Sequence, residues 1–94
     1  MARVTVKLHG VLKDSAGTGR IDVDGETITA ILKQVGESHG DRFRAVLLDD
    51  AGKVRSGHQL LLGTTFLDPR KLDGIALKDG DMIHVMPPIA GGRA

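Results

Sequence analysis

Hydrophobic and polar residues alternate at both ends of this chain and take up a helical spacing in between. Val4, Val6 and Leu8 alternate with Arg3, Thr5, Lys7 and His9, which predicts a half-buried strand. Arg20–Asp24 alternates again around Ile21 and Val23 and stops at Asp24-Gly25. Between them, Asp14–Gly19 is rich in turn residues, so the first two strands are predicted to form a hairpin with a long loop. Ile28, Ile31, Leu32 and Val35 then fall at i, i+3, i+4 and i+7, one apolar helical face, with Thr27 as N-cap and Gly40 as the stop after His39. Arg44–Leu48 is predicted as a third strand ending at the turn Asp49–Gly52, and Leu60–Thr64 as a short fourth. Pro69–Asp73 is irregular, with room for one helical turn. Lys78–Asp81 is a tight turn that feeds the last strand, Met82–Met86. Pro87-Pro88 ends that strand, because proline donates no ladder hydrogen bond and fixes its own φ.

The order strand, strand, helix, strand, short strand, strand implies an α+β two-layer architecture, a mixed sheet of four to five strands with one main helix packed across it. In the usual version of this topology the first and last strands are parallel neighbours at the sheet centre. Residues 1–88 are expected to form a single domain, and residues 89–94 a flexible tail. The 94 residues suffice for one core without metal or disulfide support. Aromatics are confined to Phe43 and Phe66, so the core is aliphatic and base stacking has no platform. The formal net charge of +1 is spread along the chain, which argues against a nucleic-acid or membrane partner. With no cysteine there is no disulfide, thiolate metal site or Cys nucleophile. No signal peptide pattern or membrane-length apolar run is present, so a cytoplasmic location is expected.

After the prolines come Ile89-Ala90-Gly91-Gly92-Arg93-Ala94. A Gly-Gly pair is backbone without side chains, able to thread a channel too narrow for other residues. The segment Leu72–Asp81 with its Gly80-Asp81 turn, the alternating strand, and Pro87-Pro88-Ile89-Ala90-Gly91-Gly92 together resemble the end of the MoaD/ThiS family of β-grasp, ubiquitin-like sulfur carriers. Lys13-Asp14 before Ala16-Gly17 resembles the family's basic-acidic pair more loosely, and the element order agrees over the whole chain.

The resemblance implies that Gly92, preceded by Gly91, is the group activated. A ubiquitin-activating-type adenylyltransferase joins the Gly92 carboxylate to AMP, a sulfur donor replaces the AMP, and the resulting thiocarboxylate gives sulfur to an accepting synthase. The ending leans toward the molybdopterin type. The carrier binds no cofactor itself, since the ATP is used by its partner. Here the chain departs from the family pattern: Arg93-Ala94 follow Gly92, so its carboxylate is tied up in a peptide bond. A processing protease cutting between Gly92 and Arg93 is therefore expected.

Two further readings share these features. One is a ubiquitin-like modifier joined to protein lysines. The other is a β-grasp interaction module that never uses its tail. A stand-alone enzyme is disfavoured, because no nucleophile–base arrangement or nucleotide loop is present.

If Val4, Val6, Leu8, Ile83 and Val85 face inward, then Thr5, Lys7 and His9 face outward with Met82, His84 and Met86. That places an adaptable docking surface of Met82, His84, Met86, Pro87 and Pro88 on the strand that carries the tail. Of the four histidines, His9, His39, His58 and His84, none forms a metal-binding spacing, and no metal is expected. Only His9 and His84 are expected on one face. The carboxylates sit in turns or at strand ends, where Asp is favoured for local hydrogen bonding.

Overall fold

The computed structural model describes residues 2–88. The expectations for Gly91, Gly92 and Arg93, and for the tail 89–94 as a whole, lie outside the described residues. The element order is β1 (Ala2–Leu8), α1 (Val11–Ala16), β2 (Arg20–Gly25), α2 (Ile28–Ser38), α3 (Asp41–Leu47), β3 (Gln59–Leu62), β4 (Thr65–Phe66), a 3₁₀ turn (Leu72–Gly74) and β5 (Met82–Met86).

The five strands form one mixed sheet in the order β2-β1-β5-β3-β4. β1 runs antiparallel to β2 and parallel to β5, with Thr5 opposite Met82 and Leu8 opposite Val85. The first and last strands are thus the central pair, as the architecture predicts. β3 is antiparallel to β5, and β4 closes the far edge against β3.

The core follows the alternation. Val4, Val6, Leu8, Ile83, Val85 and Leu60 leave the inner face and meet Ile28, Ile31, Leu32 and Val35 of α2, all buried. The Thr27 hydroxyl accepts from the Ala30 amide at 3.1 Å and starts α2, satisfying one donor that the helix cannot pair itself. Three ties hold the turn before β5 to β1: the Arg3 amide donates to Asp79 Oδ1 at 2.8 Å, the Gly80 amide to the Arg3 carbonyl at 2.9 Å, and the Thr5 amide to the Asp81 carbonyl at 3.0 Å.

Three expectations need correction. Arg44–Leu48 is not a strand; Asp41–Leu47 is the helix α3, with Phe43 and Leu47 buried one turn apart. The run Ala45-Val46-Leu47-Leu48 is short and apolar, so periodicity alone could not separate strand from helix. The long loop of the predicted hairpin contains a helix, α1, whose Leu12 is fully buried and which packs against α3. Two short helices therefore join the main one. Leu60–Thr64 divides into the end of β3 and a Gly63-Thr64 turn that reverses the chain into β4. Glycine opening a two-residue turn is a hairpin signal in its own right. Among the described residues, no helix is long and apolar enough to cross a membrane.

Candidate functional site at the open face and tail root

On the sheet face away from α2 the described side chains range from half-buried to exposed. The strand registers place Arg20, Lys7, His84, Leu61 and Phe66 side by side across all five strands. One end of this row is basic and the other apolar. Asp22, Thr5 and Met82 lie in a second row, and Gln59 and Met86 in a third. Met82, His84 and Met86 are each half-buried, as their alternation with Ile83 and Val85 requires. Phe66 is 67% exposed. An aromatic side chain left in water on an edge strand marks an interaction surface more strongly than the methionines do. Sequence reading missed it because β4 is only two residues long.

His9 and His84 come together as the alternation suggested. His9 Nε2 and His84 Nδ1 are 3.1 Å apart, with the rings stacked at 5.3 Å and tilted by 27°. One ring donates and the other accepts, so the two nitrogens satisfy each other. Partial burial holds the His9 pKa below its ordinary value, and the charges of His84, Lys7 and Lys13 push it the same way. No group of three or more His, Cys, Asp or Glu that could hold a metal occurs among the described residues. Across the sheet, the Thr5 hydroxyl donates to Asp22 Oδ1 at 2.8 Å. That bond, with Arg20 and Arg3 nearby, holds Asp22 below the usual carboxylate range.

The tail root lies at the end of β5. The His9 amide donates to the Val85 carbonyl at 3.2 Å, carrying the β1–β5 ladder to the first proline. Pro87 is half-buried and Pro88 exposed. Gly10 lies against the Pro87 ring and Gly57 against the Pro88 ring, from the two strands that flank β5. Sequence reading assigned neither glycine a role. Of the other histidines, His39 caps α2 and packs edge-on to Phe43. His58 is buried, with Nδ1 2.9 Å from the Arg55 carbonyl. A groove of about 910 Å³ opens on the helix side, with Lys53, Arg55, Arg70 and Lys71 around Leu32 and Leu72, and reaches Ser56 beside Gly57.

A family model described as the ThiS family matches residues 6–92. Among solved structures, the chain is similar to SAMP1 from Haloferax volcanii, at 22% identity and a TM-score of 0.81, covering 97% of this chain and 100% of that one. It is similar to the small archaeal modifier protein 1 (SAMP1) from Methanosarcina acetivorans, at 27% identity and a TM-score of 0.80, covering 98% of each. It is also similar to CysO from Mycobacterium tuberculosis, at 19% identity and a TM-score of 0.70, covering 92% of this chain and 99% of that one. No curated protein sequence matches the chain.

Proposed function

The chain belongs to the ThiS family, and from that premise we propose that it is a ubiquitin-like sulfur carrier acting through the carboxylate of Gly92. The observation that carries this reading is that the family match runs through Gly91 and ends at Gly92. Activation there requires that the Gly92–Arg93 peptide bond be cut first, by a processing protease.

The chemistry then needs no catalytic group from this chain. The freed carboxylate attacks the α-phosphate of ATP held by a ubiquitin-activating-type partner. Pyrophosphate leaves, and the poor electrophile becomes a mixed anhydride. A persulfide sulfur from the donor attacks the Gly92 carbonyl carbon and AMP leaves. Reductive cleavage of the sulfur–sulfur bond by a thiol leaves the thiocarboxylate for the accepting synthase. The protein itself supplies the tail, its root at Pro87-Pro88 and a recognition surface. That surface is Met82, His84 and Met86, to which the sheet register adds Leu61 and Phe66. An aromatic and two adaptable methionines suit a docking face.

The second reading, a modifier joined to protein lysines, is favoured by one finding: the M. acetivorans relative, matched over 98% of both chains, is called a small archaeal modifier protein. Intact-mass analysis of the protein from its own host, without a C-terminal tag, separates the readings. A chain ending at Gly92 with one oxygen replaced by sulfur supports the carrier. Branched peptides bearing its tail on other proteins support the modifier. A chain that continues past Gly92 while the pathway runs refutes both, and leaves an interaction module that docks through its sheet.

A further inference from the structure

We propose that Gly10 and Gly57 are positioning residues: they seat the rings of Pro87 and Pro88 and so fix the direction in which the tail leaves the sheet. This rests on the reading that the tail is delivered to a partner's active site.

The two glycines approach from opposite sides. Gly10 follows β1, the parallel neighbour of β5, and Gly57 precedes β3, its antiparallel neighbour. A Cβ built on Gly10 would stand 3.1 Å from Pro87 Cγ and 3.6 Å from Cδ. A Cβ on Gly57 would stand 3.1 Å from Pro88 Cγ and 3.4 Å from Cβ. Both contacts are tighter than ordinary van der Waals separation, so a methyl group at either position must push a ring aside.

Both glycines also have positive φ, 57° and 92°, but that does not distinguish them. Gly17, Gly40, Gly63 and Gly80 share it, and among the described residues a Cβ on any of those meets nothing within 4 Å. At those four positions the turn requires glycine; at Gly10 and Gly57 the space itself is also used.

The supports of the slot are held in place. The His9 amide bonds the Val85 carbonyl beside Gly10. His58, next to Gly57, is only 8% exposed and is tied through Nδ1 to the Arg55 carbonyl. Consecutive prolines are stiff, with fixed φ and an extended preference for the residue before each. The direction of the chain is therefore held at the two rings. From Pro88 to Gly92 an extended chain reaches about 14 Å. A displaced root changes where the tail starts and which way it sets out, and a misplacement on the order of 1 Å at a reacting centre costs up to about a hundredfold in rate.

The test uses the chain ending at Gly92 and the adenylating enzyme of the same host, followed by ATP–pyrophosphate exchange. Gly10→Ala is expected to lower kcat about tenfold or more with a smaller effect on KM, since Met82, His84, Met86, Leu61 and Phe66 of the open face are untouched. The same substitution in a Pro87→Ala background, where the atoms it would strike are gone, is expected to cost several-fold less in kcat, the remainder being the backbone strain of alanine at positive φ. Equal losses in both backgrounds, or an unchanged kcat, overturn the proposal. Should Gly10→Ala fail to fold, Gly57→Ala with Pro88→Ala runs the same cycle. If the wild-type chain is not adenylated at all, the carrier reading falls. The seating is then decided by nuclear Overhauser contacts from Gly10 Hα to the Pro87 ring and from Gly57 Hα to the Pro88 ring, whose absence refutes it.

Discussion

Replacing Gly36 with alanine sets two effects of similar size against each other. Gly36 lies inside α2, where alanine is favoured over glycine by about 1 kcal/mol, because glycine gives up more backbone freedom on folding. A rule of thumb would therefore predict a more stable protein. The packing says otherwise. A methyl group on Gly36 would stand 2.5 Å from Leu48 Cδ1 and 2.9 Å from Leu48 Cγ. Turning the end of the Leu48 side chain moves Cδ1 but not Cγ, so χ1 or the backbone must shift as well. Leu47 and Leu48 are 0% and 3% exposed, which leaves little room for either. Overpacking of this kind costs about 1–3 kcal/mol. The net expectation is a loss of about 1 kcal/mol, a fall in Tm of about 4–8 °C for a domain of this size. Urea unfolding followed by circular dichroism measures it. The same change in a Leu48→Ala background should reverse sign and stabilise by about 1 kcal/mol, since the propensity gain remains and the clash is gone. A Gly36→Ala protein as stable as the parent, or more so, would refute the steric argument.

Two further outcomes follow from the open face. Phe66→Ala should weaken binding to the adenylating partner by about tenfold or more while changing stability by less than about 0.5 kcal/mol, since the ring is mostly in water; unchanged affinity in calorimetry would remove the Phe66 end from the docking surface. The depressed His9 pKa makes stability pH-dependent. The unfolded chain then binds more protons than the native one below the ordinary histidine value, so this contribution is fully present above about pH 6.5 and is lost as pH falls through the depressed native value. His9→Gln should flatten the Tm profile over that range, and a slope identical to wild type would rule the assignment out.

The site was legible in part. Met82, His84 and Met86 could be placed outward because Ile83 and Val85 between them are aliphatic, and a strand that buries one face leaves the other open. Pro87 and Pro88 could be read as an exit for the same local reason. Leu61 and Phe66 could not be added, since their place depends on β3 pairing with β5 and on a turn at Gly63-Thr64 that single-strand alternation does not register. α3 was hidden in a run of apolar residues whose helical spacing, Phe43 to Leu47, emerges only once Asp41 is known to start it.

By itself the sequence determined β1, β2, α2 and β5 and the chemical character of the tail. Each of these is a short-range property, set by a period of two or of 3.6 residues or by the geometry of proline and glycine. Tertiary structure decided what lies beside what. His9 meets His84 across 75 positions of chain because β1 and β5 are parallel neighbours. Gly10 and Gly57 meet the two prolines because the strands on either side of β5 begin and end at its tip. Local patterns record which residues prefer to be buried; the pairing of strands far apart in the chain sets which of them touch.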